Sequence, residues 1–147
     1  DLAVRGAPPD AGRGAILGVF YVDTSALMKL IVAERESAAM KRWMGGATGR
    51  VFGSDLLRTE FLRAIRRSVP AREEAAHDIL GSMLLVRLKR GTFEAAADIE
   101  PSALRSLDAL HLASALEFGG ELEGVVTYDD RLAAAAQANG IATISPR

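Results

Sequence analysis

The chain has 147 residues, of which 49% are hydrophobic and 25% are charged, and its formal net charge is −1. This balance predicts one globular domain and counts against a strongly basic protein that coats nucleic acid. The chain has no cysteine, which excludes disulfides, thiolate nucleophiles and cysteine-ligated zinc. No apolar run reaches the roughly 18 residues that a membrane span needs, so we expect a cytoplasmic protein without a membrane segment.

The first 18 residues are rich in glycine, proline and alanine and show no hydrophobic period. We interpret residues 1–18 as a disordered leader or an upstream extension and place the folded domain at residues 19–147. The run over residues 19–22 is β-branched and aromatic without polar breaks, which predicts a buried parallel strand. Asp23 follows this strand, and Thr24 or Ser25 can cap the helix that we predict over residues 26–32.

The rest of the chain alternates between helical and strand-like patterns. Helices are predicted over residues 36–44, 54–67, 72–82, 93–99, 102–118 and 131–138, and strands over residues 51–52, 84–89, 124–127 and 141–144. Ser54 is expected to cap the second of these helices. This alternation predicts an α/β fold in three layers, with a central, mostly parallel sheet flanked by helices. In such a sheet, ligands bind beyond the carboxyl ends of the strands.

Four acidic residues stand out by their positions. Asp23 and Asp129 each follow a predicted strand and are therefore expected at the same edge of the sheet. Glu60 borders the apolar stripe of its helix, and Asp108 lies inside an apolar helix, where an unpaired charge is costly. Each has an ordinary alternative: a helix cap for Asp23 or Asp129, a solvated side chain for Glu60, and an ion pair with Arg105 for Asp108. The hypothesis of a site depends on the convergence of all four.

Clustered carboxylates repel one another and are tolerated when a divalent cation neutralises them. An all-oxygen set without cysteine or paired histidine suits Mg²⁺ or Mn²⁺ better than zinc. Mg²⁺ held in this way keeps several waters, and one of them can be activated to attack a phosphodiester. The sequence therefore predicts metal-dependent hydrolysis of a phosphate ester.

Four segments resemble the motifs of PIN domains and occur in the order of that family. They read VDTSAL at 22–27, TE at 59–60, LDALHLA at 107–113 and VTYDDRL at 126–132. More narrowly, residues 19–146 resemble the VapC toxins of bacterial type II toxin–antitoxin pairs. The resemblance implies a PIN-like three-layer sandwich at 19–147.

The resemblance also implies roles for individual residues. The acidic quartet would comprise Asp23, Glu60, Asp108 and Asp129, with Asp23 and Asp108 as the most direct metal ligands. Ser25 and Thr127 would orient carboxylates or water. The family implies a Mg²⁺-dependent ribonuclease for structured or transfer RNA. It also implies a homodimer, inhibition by a VapB-type antitoxin, and a larger toxin–antitoxin assembly as one possibility.

Two further features leave alternatives open. Arg63 and Arg67 lie one and two turns beyond Glu60, where they hold RNA phosphates, belong to an ordinary solvated helix face, or form part of a surface on which an antitoxin tail docks. His111 lies three residues after Asp108 and is either a donor that supports this carboxylate or a hydrogen-bonded helix histidine.

Two other functions compete with the ribonuclease. A phosphotransfer domain would use Asp23 as its nucleophile, but it would normally carry a second acid two residues later, where this chain has Ser25. A non-catalytic binding module would keep the PIN fold without activity, although the intact acidic quartet argues against it.

Overall fold

The structure is a computed structural model that describes residues 18–147. The prediction for residues 1–18 lies outside the described residues, apart from Gly18. Five strands form a single sheet in the order β3-β2-β1-β4-β5, and every pair of neighbours is parallel. The strands are β1 Val19–Val22, β2 Val51–Ser54, β3 Leu84–Val86, β4 Leu122–Val126 and β5 Thr143–Ile144.

Seven α-helices connect or follow these strands in the described part of the chain. They are α1 Thr24–Ile31, α2 Ser37–Gly46, α3 Asp55–Ser68, α4 Glu73–Gly81, α5 Arg90–Ala97, α6 Ser106–Leu116 and α7 Asp130–Ala138. Short 3₁₀ turns at Pro70–Arg72 and Gly119–Glu121 precede α4 and β4. None of the helices within residues 18–147 has the length and hydrophobicity that crossing a bilayer requires.

The sheet is covered on both faces, which confirms the predicted three-layer α/β architecture. In β1, Phe20 and Val22 pack into a core with α1, α2, α3 and α4, while Tyr21 points into a second core with α6 and α7. A central strand that is buried on both faces needs apolar residues at every position, which explains the unbroken run in β1. The same arrangement brings the carboxyl ends of β1 and β4 side by side.

The largest difference from the predicted elements lies before α6. This helix begins at Ser106, so the predicted start at residue 102 is wrong. Arg105 has an extended backbone, and the amide of Leu104 donates to the carbonyl of Pro101 in an irregular turn. The turn places the half-buried Leu104 against apolar residues near α6, and this packing outweighs the helical propensity of residues 102–105.

Two predicted helix caps are also wrong. Neither Thr24 nor Ser25 caps α1, because the carboxylate of Asp23 accepts from the amide of Ala26 in that role. Ser54 stands at the N-cap position of α3, but its side chain makes no capping bond. Its hydroxyl instead accepts a hydrogen bond from the Tyr21 hydroxyl at 2.9 Å. Tertiary contacts therefore replace the local bonds that the sequence predicted.

Candidate active site

The candidate site lies at the carboxyl edge of β1 and β4, as the strand pattern predicted. Asp23 follows β1, and its backbone amide donates to the carbonyl of Val126, the last residue of β4, at 3.2 Å. Asp129 comes three residues after Val126 and begins the turn into α7. The parallel register of the two central strands therefore brings two predicted site residues, 106 positions apart in sequence, to one edge.

Asp23 is almost completely buried, with 5% of its surface exposed. Its Oδ1 atom accepts from Ser25 Oγ at 2.7 Å and from the Ala26 amide at 3.2 Å, while Oδ2 accepts from Thr127 Oγ1 at 2.8 Å. Burial raises the pKa of Asp23 to about 6, although the hydrogen bonds from Ser25 and Thr127 act in the opposite direction. Asp23 is thus both a helix cap and a carboxylate whose charge is only partly compensated.

The hydroxyls of Ser25 and Thr127 connect Asp23 to the segment after β4. Ser25 Oγ accepts from the amide of Tyr128 at 2.8 Å, and Thr127 Oγ1 accepts from the amide of Asp129 at 3.0 Å. Both hydroxyls therefore donate to Asp23 and accept from backbone amides of the segment that follows β4. Both residues that the resemblance assigned to orientation are in contact with a carboxylate of the quartet.

Replacement of Thr127 by Val should lower both stability and activity. Thr127 is fully buried, so the loss of its hydroxyl leaves the Asp129 amide without an acceptor and Asp23 Oδ2 without a donor. We expect a loss of about 1–3 kcal/mol in the free energy of unfolding, measured by urea denaturation. Thr127→Ser keeps the hydroxyl and serves as the control. A Val variant as stable as wild type would show that this hydroxyl does not support the site.

Asp129 caps α7 with one carboxylate oxygen. Its Oδ1 atom accepts from the amides of Arg131 at 2.9 Å and Leu132 at 3.2 Å. Within the described residues, no hydrogen bond engages Oδ2, which leaves this oxygen for another partner. Asp130 is the first residue of α7 and is exposed. The capping interpretation of Asp129 is therefore correct, and it is compatible with a role in the site.

Glu60 projects from α3 toward the same edge. Its Oε1 atom accepts from Thr24 Oγ1 at 3.0 Å and lies 2.5 Å from His111 Nε2. Oε2 makes no hydrogen bond to any residue within 18–147, so Glu60, like Asp129, keeps one oxygen free. Burial raises the pKa of Glu60, but the hydrogen bond and charge of His111 outweigh this effect, and the net pKa is lowered. Glu60 is therefore a fixed, ionised carboxylate and not a solvated helix residue.

The structure places His111 next to Glu60 and not next to Asp108, so of the two alternatives the hydrogen-bonded helix histidine is the correct one. The residue is 3% exposed, and its ring bonds Glu60 through Nε2, with no hydrogen bond to Asp108. On the other side of the ring, Nδ1 lies 2.8 Å from the hydroxyl of Tyr21, which also contacts Ser54. Because Glu60 is 51 residues away in sequence, helical spacing around His111 gave no signal of this contact.

Asp108 is half-buried in the first turn of α6. Burial raises its pKa, and the negative charges of Asp129 and Glu60 raise it further, while His111 and Arg105 lower it. Arg105 forms no ion pair with Asp108 within the described residues, so the simple pairing alternative is not realised. The negative charges of Asp129 and Glu60 therefore act on the side chain of Asp108.

The acidic quartet fits a divalent cation by the chemistry of its donors. All four side chains offer carboxylate oxygens, which Mg²⁺ and Mn²⁺ prefer. Burial, followed by repulsion from Asp129 and Glu60, raises the pKa of Asp108, and burial raises that of Asp23, so a nearby positive charge would favour the ionised form of both. Among residues 18–147, however, no three acidic or histidine side chains are already close enough together to hold a metal ion. Side-chain rearrangement would therefore be needed to complete a coordination shell.

Arg63 and Arg67 lie on the exposed part of α3 beyond Glu60. Neither forms an ion pair with a residue in the described part of the chain, in contrast to Arg66, which pairs with Glu73 at 2.5 Å. Their contact with RNA stays a prediction.

Comparison with known proteins identifies the family. Residues 20–138 match the family model of the PIN domain. The chain belongs to the PIN-domain family. Within this family it is similar to the ribonuclease VapC46 of Mycobacterium tuberculosis, with 37% identity over 130 residues that cover 88% of this chain and 99% of the relative. It is also similar to the ribonuclease VapC47 of M. tuberculosis, with 36% identity over 132 residues that cover 87% and 97%. The chain is therefore a VapC-type member of the PIN family.

Solved structures support the same fold. The chain superposes on VapC20 of M. tuberculosis, described as a toxin that cleaves the sarcin–ricin loop, with a TM-score of 0.71 and 18% identity. That match covers 86% of this chain and 99% of the other. A chain of a toxin–antitoxin complex from Klebsiella pneumoniae gives a TM-score of 0.67 at 17% identity, over 86% and 97%. These likenesses confirm the predicted PIN-like three-layer sandwich.

Proposed function

We propose that this protein is a Mg²⁺-dependent endoribonuclease and the toxin of a VapBC-type toxin–antitoxin pair. Its membership among VapC ribonucleases makes it a nuclease-type hydrolase. The observation that carries the finer proposal is the buried Asp23, whose two oxygens are held by Ser25 and Thr127 at the sheet edge that also bears Asp129. Burying a carboxylate is costly unless it is paired or a cation neutralises its charge.

The residues divide into those that would hold the cation and those that hold the ligands. Asp23 and Asp108 would bind it most directly, and Glu60 and Asp129 would complete the site directly or through water. When bound, Mg²⁺ or Mn²⁺ would activate a water and shield the charge on the phosphate. Hydrogen bonds already fix one oxygen of Glu60 and one of Asp129, which directs the other oxygen of each toward an additional partner.

The substrate and partners are proposed from the family. We propose structured RNA, with transfer RNA as the first candidate, a cytoplasmic location, a homodimer, and inhibition by a VapB-type antitoxin. One structural neighbour is itself a toxin–antitoxin complex, which supports a protein inhibitor for this chain. We also propose that Arg63 and Arg67, which carry charges without ion pairs in the described residues, contact RNA phosphates beside Glu60.

The phosphotransfer alternative is less compatible with the geometry. A nucleophilic Asp23 would need a second acid close by to protonate the leaving group, normally two residues later in the sequence. The position two residues later is occupied by Ser25, whose hydroxyl donates to Asp23 and cannot act as a general acid of carboxylate strength.

A substrate panel tests the proposed function. Purified protein with Mg²⁺ should cut transfer RNA into discrete fragments, should leave DNA of the same sequence intact, and should release no phosphate from a phosphomonoester. Addition of the cognate antitoxin should stop the cleavage. Acyl-phosphate formation at Asp23 would support phosphotransfer instead, and a protein that binds RNA without cutting it would be a binding module.

A further inference from the structure

A groove of about 400 Å³ lies next to the acidic quartet, between α7 and the turn that precedes α6. Ala134 and Ala138 of α7 line one side, Leu104 lines the other, and Asp108 lies on the border with the quartet. The hydrogen bond from Asn139 to the carbonyl of Glu100, at 2.8 Å, ties α7 to the chain just before this turn. The irregular turn at residues 101–105, predicted as helix, thus provides a wall of the groove.

The charges at the groove oppose those of the quartet. Arg105 and Arg131 both line it, both are exposed, and neither forms an ion pair with a residue within 18–147. Arg131 comes two residues after Asp129, and Arg105 comes three residues before Asp108. Each arginine is therefore close in sequence to one carboxylate of the quartet, where its positive charge would attract a substrate phosphate.

We propose that this groove binds one unstacked nucleotide of the RNA, adjacent to the bond that is cut. Its volume lies within the range of about 300–1,000 Å³ that is typical of small-ligand pockets. The apolar surface of Leu104, Ala134 and Ala138 would contact the base, and the guanidinium groups of Arg105 and Arg131 would bind the flanking phosphates. The inference rests on the proposed ribonuclease function. It adds to that function the position of a binding site for the base next to the cleaved bond.

RNA fits this combination better than a protein segment does. A nucleotide carries a flat apolar face and a phosphate on one unit, which matches an apolar floor bordered by two unpaired guanidinium groups. Because Asp108 lines the groove, a nucleotide bound there would lie next to the proposed metal ligands. The groove would therefore contact the base next to the cleaved bond, while the quartet acts on the phosphodiester backbone of the RNA.

Binding can be measured without cleavage in the Asp23→Asn background. The probe is a fluorescently labelled single-stranded RNA oligonucleotide, titrated in EDTA at several salt concentrations. Removing both arginines (Arg105→Ala with Arg131→Ala) should weaken binding at least tenfold and make the slope of log K against log salt shallower by about 1.4, or about 0.7 per lost phosphate contact. Ala134→Leu should fill part of the groove without offering an aromatic face, and it should weaken binding about tenfold without changing the slope.

Matched controls come from α2, which contributes no member of the quartet. Arg42→Ala and Ala38→Leu change exposed residues of the same types and should bind RNA like the background protein. Groove variants that bind RNA as tightly as these controls, or a background protein that does not bind RNA at all, would overturn the inference. If the groove variants weaken the antitoxin complex but not RNA binding, the groove is a protein-docking surface and the inference is wrong.

The cleavage assay on the wild-type protein separates a failure of the nucleotide site from a failure of the ribonuclease proposal. If wild type cuts RNA and the groove variants bind normally, the proposed function stands and the nucleotide site does not. If the groove variants lose RNA affinity and wild type never cuts RNA, the groove binds RNA but the ribonuclease proposal fails. The base preference at the cleavage site provides a third readout, and Ala134→Leu should reduce this preference.

Discussion

Replacement of Asp23 by Asn is expected to reduce RNA cleavage by about a thousandfold or more, which corresponds to several kcal/mol of lost transition-state stabilisation. The amide keeps the size of the carboxylate, so the contacts with Ser25 and Ala26 can persist while the negative charge is lost. Asp108→Asn should have a similar effect, because Asp108 is the other direct ligand in our proposal. Initial rates on a labelled RNA with saturating Mg²⁺ measure both.

Asp23→Asn should not destabilise the metal-free protein near neutral pH. The pKa of Asp23 is raised from 3.8 to about 6 in the folded state, so folding is opposed by ionisation of this group. The stabilisation of the fold by the protonated Asp23 side chain is fully present below about pH 4 and is lost as the pH rises through about 6. In EDTA at pH 8, Asp23→Asn should therefore be more stable than wild type, by at most about 3 kcal/mol, and the difference should shrink toward pH 4.

The exposed Asp78 of α4 provides the control for both measurements. Asp78→Asn should leave the cleavage rate and the melting temperature at pH 8 nearly unchanged. Normal cleavage by Asp108→Asn would show that the quartet is misassigned. A large loss of stability in Asp23→Asn would show that its carboxylate is held for the fold alone.

Replacement of His111 by Leu is expected to cost about 10- to 100-fold in activity or in affinity for Mg²⁺, the usual effect of losing a group that orients a metal ligand. His111 Nε2 must carry a proton, because the ionised carboxylate of Glu60 has only acceptor atoms. Without this donor, Glu60 keeps only the hydrogen bond from Thr24 and is less firmly held at the edge of the sheet. The Mg²⁺ concentration for half-maximal cleavage should rise in the Leu variant.

A second variant separates orientation from packing. Glutamine can place an amide N–H near the position of Nε2, so His111→Gln should recover part of the Mg²⁺ affinity that His111→Leu loses. Tyr21→Phe removes the partner of Nδ1 and should have a smaller effect than His111→Leu. If Leu and Gln lower stability equally and neither shifts the Mg²⁺ dependence, His111 is a core residue without influence on Glu60.

The sequence predicted those parts of the fold that depend on local pattern. The unbroken apolar run of β1 predicted a central strand, and the acids after β1 and β4 predicted which edge carries the site. The start of α6 was misplaced, because local propensity favours helix over residues 102–105 while the packing of Leu104 favours a turn. The groove lined by this turn could not be predicted for the same reason.

The candidate site shows the same limit. Positions of the acidic residues follow from strand ends and helix faces, which have clear sequence signals. The partners that hold them are long-range: Thr127 is 104 residues from Asp23, and His111 is 51 residues from Glu60. The PIN resemblance supplied the role of Thr127, but it did not identify His111 as the partner of Glu60. Such contacts depend on how helices cross the sheet, which one sequence alone does not show.

The metal dependence of RNA cleavage tests the central claim most directly. Purified protein is treated with EDTA, dialysed, and assayed on transfer RNA without metal, with Mg²⁺ and with Mn²⁺, alongside Asp23→Asn. The quartet predicts no cleavage without metal, discrete fragments with Mg²⁺ or Mn²⁺, and no fragments from Asp23→Asn under any condition. Cleavage that persists in EDTA, or that Asp23→Asn retains at the wild-type rate, would contradict a metal-dependent nuclease built on these carboxylates.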